Sequence, residues 1–465
     1  MQLLRIIVWL LCAFYCGVAT VQAQDKVTEV RLNGQLQWKD TAINRYPSKV
    51  KITSKYDPFQ ISFIDVDSLG HFNTVIAPGQ YVVEPAIKYH WQRDWGQRFI
   101  RINEESSKIQ ITIDSVGEAI VQPLILDTIG IADQIPEQGI LHDLDSEKTQ
   151  FLDDFIHYNL DYFQVPGASL ALFKGGEMIY QKSYGFKNPI TKEAINEKTL
   201  FEAGSITKLV FSFAVMRLVE KGILDLDRPL YKDLIFEAIA HDKRHKLITA
   251  RHVLSHQTGF PNWAKKDKKG HFELLFTPGT KYGYSGEGFE YLKRVLEHIT
   301  NKDIETILQE ELIAPLELKN FYFQTTDEVK IQASDGFYHG KPAKTRTIEK
   351  PMAAYSLMTN AKDFSTFVFA LRNRIGLKSA TYEAWFKEQV LVEDGISWGL
   401  GLALRKDKTG YFYGHSGVTR DFVSNFRYYP ELDMGFVFFT NNITGGWLTI
   451  DKLPQFLITG TEVSQ

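Results

Sequence analysis

The sequence predicts two architectures in one chain: a small all-β sandwich over 24–125, then a larger α+β domain over 143–465, joined by a linker at 126–142. Three observations predict this. Short runs of β-formers, divided by Gly, Pro, Asp and Ser, fill the first stretch and carry no helical period. Helical patterns and loops dominate the middle of the second stretch. Strand pairs stand at both of its ends, so one sheet would join its termini. At 465 residues the chain is also too long for a single core of ordinary size.

Residues 1–23 have the grammar of a secretory signal: Arg5, an apolar stretch from Ile6 to Val18, and small residues around a cleavage point after Ala23. The apolar stretch is short for a bilayer span; an uncleaved N-terminal anchor is the alternative. Both cysteines, Cys12 and Cys16, lie here. The cleaved chain would hold no disulfide, thiolate nucleophile or cysteine metal site. Export without disulfides suits a bacterial periplasm or exterior. No later segment has the length and apolarity of a membrane span.

The sandwich is expected from "KVKITS", "QISFIDV", "QYVVEP", "RFIRI" and "KIQITID". The linker, "LDTIGIADQIPEQGILH", has Gly, Pro and no period. "SEKTQFLDDFIHYNL" follows as a helix with Ser146 at its cap position. "ASLALFKGGEMIYQKSYGF" reads as strand, Gly-Gly turn and strand. The closing strands are "GYFYGHSG", "SNFRYYP" and "MGFVFFTNN". Composition, 44% apolar and 23% charged with net charge −3, fits a folded body. Without a long basic run, nucleic acid is not an expected partner.

The chemistry is read from "FEAGSITKLVFSFAVMRLVEKG", residues 201–222. Lys208 stands in the first turn of an apolar helix, where the macrodipole is positive and acids are favoured. Burial and the helix end both disfavour its charge, so its pKa should fall. Ser205, three residues earlier, shares its helix face. A neutral amine beside a hydroxyl is a general base beside a nucleophile. The plain alternative makes Ser205 an N-cap and lets Lys208 reach solvent. A second Ser-x-x-Lys, Ser48 to Lys51, falls in a strand and is decorative.

Two further motifs follow: Tyr284-Ser285-Gly286 at the mouth of another helix, and His415-Ser416-Gly417 within a strand. With Ser205-x-x-Lys208, and with "PGASLALFKGGEMIY", "RHVLSHQTGFPNW" and "AAYSLMTNAKDFSTFVFAL", their order resembles the serine β-lactamase and penicillin-binding-protein-like superfamily. The likeness is to its class C β-lactamase, D,D-peptidase and family VIII esterase branch and covers about 143–455. It implies a β-lactamase/transpeptidase-like fold with Ser205 as nucleophile, Lys208 as its base partner and Tyr284 as proton relay. His415, Ser416 and Gly417 would line the substrate. The backbone N–H groups of Ser205 and Val418 would form the oxyanion hole. No metal or cofactor is implied.

Two departures stand out. The resemblance calls for Asn two places after the tyrosine, where this chain has Gly286, and His415 stands where Lys is common. Gly286 weakens the expectation of β-lactam and peptide turnover; His415 weakens that of a β-lactam carboxylate, though related D,D-peptidases have His there. Separately, "DSLGHFNTVIAPGQYVVEP" resembles β-sandwich modules similar to carboxypeptidase regulatory domains, through Gly70, Phe72, Pro78, Gly79 and Tyr81. That implies an accessory role, with the cell wall as a partner.

His241, His245, His252 and His256 form a local cluster, but no Glu follows His252 as a zinc protease needs. No Gly-x-Ser-x-Gly elbow exists, against an α/β-hydrolase. The expectation is thus an exported serine hydrolase acting through an acyl-Ser205 intermediate on esters, D-amino-acid peptides or β-lactam-like amides. A catalytically weak penicillin- or glycan-binding protein of the same fold is the alternative.

Overall fold

The computed structural model describes residues 30–38, 49–56, 61–86, 100–102, 109–113, 117–120, 122–126, 128–130 and 138–460, apart from 339–340, 344–345, 394, 408 and 447. The expected leader, 1–23, lies outside the described residues. The chain divides into two compact units between Gln134 and Ile135.

The first unit is small and all-β. Lys49–Ser54 pairs antiparallel with Ile61–Asp65 on one side and Gly79–Ala86 on the other, and the latter pairs with Ile109–Ile113. Val30–Trp38 pairs antiparallel with His71–Ile76 and parallel with Gly117–Ile120. Alternate residues turn inward, as period 2 requires, and Leu32, Leu36, Val50, Ile52, Phe72, Tyr81 and Val83 form the core. The stretch read as a linker is not featureless: Thr128–Gly130 pairs with Ile100–Ile102, and Ile140–Asp143 makes a 3₁₀ turn.

In the second unit the Ile140–Asp143 turn leads into α1, Ser146–Tyr162. Its cap is Asp145 rather than Ser146: the carboxylate accepts from Lys148 N at 2.8 Å, and a carboxylate also suits the positive helix end. β1, Gly167–Lys174, and β2, Glu177–Asn188, follow as the expected hairpin. Gly175 and Gly176 turn it with φ of 63° and 82°, the left-handed pair a two-residue turn needs.

The middle supplies α2, Thr207–Glu220, α3, Gly286–Thr300, and α4, Ala361–Arg372. α2 is apolar on almost every side, so it is buried on almost every side, with Leu209 through Met216 all inside. The C-terminal part supplies β3, Ala403–Asp407, β4, Gly410–Val418, β5, Val423–Tyr429, and β6, Met434–Thr440.

These strands form one nine-stranded antiparallel sheet, ordered Glu193–Ala194, β2, β1, β6, β5, β4, β3, Ile396–Trp398 and Val390–Glu393. β1 pairs with β6, so the sheet does join the two ends of the α+β domain. β3 pairs with β4 only as far as Gly414, leaving His415–Val418 without a partner strand on that side. That open edge meets the turn that carries Ser205.

Candidate active site

Ser205 sits in a 3₁₀ turn, Gly204–Ile206, just ahead of α2. It caps nothing. Thr207 Oγ1 holds the turn instead, donating to Gly204 O at 2.6 Å and accepting from Leu357 N at 2.9 Å. The Ser205 hydroxyl is left to Lys208, whose Nζ lies 3.3 Å from it. Lys208 does not reach solvent: it is 1% exposed and donates to Ala354 O at 2.8 Å. Burial pulls its pKa down to about 7, opposed by the negative charge of Glu290. Near neutrality a large share of Lys208 is therefore an uncharged amine.

Tyr284 comes from the mouth of α3. Its ring lies under the amine, 4.9 Å from Nζ to centroid, with Phe289 at 5.6 Å. Its hydroxyl is buried without a formed hydrogen bond. Burial pushes its pKa up, and Ser205 is the one group that opposes the push, short of hydrogen-bond geometry.

Two rings pack against this tyrosine, and a third packs on one of them. His256 stacks at 4.1 Å between centroids, and Trp398 meets Tyr284 edge-on at 6.0 Å and His415 at 5.4 Å. The protons on both histidines follow from their partners. His256 Nδ1 accepts from Ser285 N at 3.1 Å, so its proton is on Nε2. His415 Nδ1 donates to Ser416 O at 2.7 Å, so its Nε2 carries the lone pair. Burial first, then Lys208, holds His415 down to about 3 and His256 well below the usual range. Both are neutral, and His415 brings no fixed charge.

The open edge of β4 approaches the serine turn closely. A Cβ on Gly417 would lie 1.9 Å from Ala203 O, so only glycine permits this approach. Val418 N lies 3.0 Å from where a Cβ on Gly204 would sit. From the neighbouring β5, Ser424 Oγ ties the sheet to the turn by donating to Ala203 O at 2.8 Å. Ser416 is not brought to the group by its side chain. Strand alternation turns it to the other face, where its hydroxyl donates to Asn425 Oδ1 at 3.3 Å.

The structure thus gathers Ser205, Lys208, Tyr284, His415, Gly417 and the Val418 backbone, and adds groups the sequence reading missed. Glu290 is half-buried; desolvation lifts its pKa to about 7, and Ala354 N donates to it at 3.0 Å. His256 was read as part of a histidine cluster, yet its companions go elsewhere: His241 stacks on His271 at 4.7 Å and pairs with Glu273 at 3.2 Å. Its only sequence signal was its place in "RHVLSHQTGFPNW". Among the described residues no three His, Cys, Asp or Glu side chains are grouped as metal ligands.

The Beta-lactamase family model matches residues 152–447, more than half of the chain. Protein flp of Staphylococcus aureus (strain MW2) is 22% identical over 323 residues, 64% of each protein. The chain thus spans just under two thirds of the length of that relative. Esterase EstB of Burkholderia gladioli is 24% identical over 219 residues, 41% of this chain and 55% of EstB. The octameric penicillin-binding protein homologue from Pyrococcus abyssi has the same fold, with a TM-score of 0.60 and 22% identity over 68% of this chain and 78% of that one. On these matches, and on a mixed fold in which one sheet and the helix mouths bring serine, lysine and tyrosine together, the chain belongs to the Beta-lactamase family.

Proposed function

We propose that the chain is an exported esterase that hydrolyses carboxylic esters through an acyl-Ser205 intermediate. One observation carries this reading: a buried amine whose pKa falls to about 7 lies 3.3 Å from the Ser205 hydroxyl. In the first step neutral Lys208 takes the hydroxyl proton while Ser205 Oγ bonds to the ester carbonyl carbon. The oxyanion is held by the N–H groups of Ser205 and Val418. The C–O bond to the alcohol breaks, and that oxygen receives the proton through Tyr284. Water then attacks the acyl carbon, giving its proton back through the same groups and releasing the acid. An ester becomes an acid and an alcohol with the consumption of one water.

Esters are favoured over D-amino-acid peptides and β-lactams because this site lacks two aids. Gly286 offers no side-chain amide, and neutral His415 offers no cation for a carboxylate. An alkoxide also leaves with less help from an acid than an amine does. The signal-like sequence pattern of 1–23 supports the proposed export to a periplasm or exterior, and the front unit is proposed as a cell-wall or glycan-binding accessory. Among the described residues no helix is long and apolar enough to cross a membrane.

Intact mass after exposure to p-nitrophenyl butyrate, a penicillin and a D-Ala-D-Ala peptide tests the reading. A butyryl adduct on the peptide holding Ser205, with ester turnover, is expected. Absence of both adduct and turnover would turn the reading toward a binding protein. The Glu290 carboxylate gives a second check. Its charge raises the Lys208 pKa, so Glu290→Gln should lower it, and the acid limb of kcat/KM, near pH 7 in the wild type, should move to lower pH. A limb that stays in place would show that Lys208 does not feel this carboxylate.

A further inference from the structure

Beside Gly286 the chain builds something in place of a side chain. A Cβ on Gly286 would lie 2.6 Å from Cζ2 of Trp263 and 2.7 Å from Cη2, so the indole fills the space a side chain at 286 would take. The loop bearing Trp263 is fastened to the mouth of α3. Asn262 O accepts from Gly286 N at 3.1 Å and Glu287 N at 3.0 Å, and Asn262 Oδ1 accepts from Gly286 N at 2.9 Å. Ser285 Oγ donates to Pro261 O at 2.9 Å. Trp263 is thus held on a rigid support, yet its side is 48% exposed, unusual for the largest apolar side chain.

Tyr355 completes a corner. Its ring meets Trp263 at 5.7 Å between centroids and 81° between planes. Tyr355 follows Ala354, whose carbonyl binds Lys208, and Gly286 comes two residues after Tyr284. The corner is therefore joined through short stretches of backbone to the Ser205–Lys208–Tyr284 group. Arg346 lies 6.0 Å from the Tyr355 ring centroid and pairs with Glu202 at 3.1 Å.

We infer that Trp263 and Tyr355 form a substrate subsite for a flat, apolar substituent of an ester, such as an aryl ring, and that Gly286 exists to admit the indole. Two rings at a right angle offer one face and one edge, the two surfaces on which a planar apolar group packs best. Gly286 itself brings no side chain to the corner, so the two rings are its main apolar surface for a substrate. This rests on the esterase reading of the same site.

Two substrate pairs test it and tell the acyl from the alcohol half: vinyl benzoate against vinyl acetate, and phenyl acetate against methyl acetate. In wild type the aryl member should have the higher kcat/KM in one pair. In Trp263→Ala that aryl preference should fall about tenfold, and Trp263→Phe should restore most of it. Gly286→Ala keeps the indole but displaces it, and should lower the same preference; if Trp263→Ala does not fold, this variant decides. Preferences within twofold of wild type in both pairs would overturn the subsite while ester turnover stood. Absence of any ester turnover or Ser205 adduct would remove the esterase reading, and the subsite with it.

Discussion

Replacing Lys208 with methionine is expected to cut ester kcat/KM by about 10³ or more, while the protein stays folded and gains stability in acid. The rate loss follows from removing the proposed base next to Ser205; general-base catalysis alone is worth about 10²–10⁴. The gain in stability follows from the same burial that makes the base. Below about pH 7 the amine is protonated in both the folded and the unfolded chain, and the folded chain bears the charge in an apolar site. Between about 7 and 10.5 the unfolded chain holds a proton that the folded chain has released, so wild-type stability climbs with pH. The penalty at low pH is on the order of 5 kcal/mol for a gap of this size. Methionine fills a similar volume without it. Denaturant melts at pH 6 and pH 9 should show the variant at least as stable as wild type at pH 6, with the pH slope flattened. A variant retaining a tenth of wild-type turnover would show that Lys208 is not the base.

That coupling of cost and function explains what could be read from the sequence. Lys208 was legible because it broke a local rule: a cation at a helix start, among apolar neighbours, with a serine on the same face. The hairpin at Gly175-Gly176 and the β-rich ends were legible because turn chemistry and period 2 act within a few residues. The rest depends on contacts between distant segments. Glu290 looks like any surface acid of an amphipathic helix until Ala354, 64 positions on, donates to it. Which face of β4 carries Ser416 cannot be known until β5 is set beside it, since a shift of one residue exchanges the faces. Gly286 reads as a deletion in one dimension. In three it is the partner of Trp263, brought over it by backbone bonds from Asn262.

The strand that approaches Ser205 offers the second large effect. Gly417→Ala is expected to lower kcat by about 10²–10³, the loss typical of an oxyanion donor moved out of place. Gly417 itself has no unusual backbone angle; the constraint is its neighbour. The added methyl would stand 1.9 Å from Ala203 O and 2.4 Å from Ser424 Oγ. Ala203 cannot retreat cheaply: its carbonyl accepts from Ser424 at 2.8 Å, and its N–H donates to Leu357 O at 2.9 Å. Leu357 in turn donates to Thr207 Oγ1, which holds the turn of Ser205. The strand must therefore back away, carrying Val418 N from the serine, or the turn must give and move the nucleophile. Ser424→Ala separates bulk from bonding, since it removes a hydrogen bond without adding an atom, and should cost kcat less than tenfold, near the worth of one neutral bond. Kinetics on an ester, with a melting curve for each variant, distinguish the outcomes. Wild-type kcat in Gly417→Ala would mean that the approach of β4 to Ala203 does not set the geometry at Ser205.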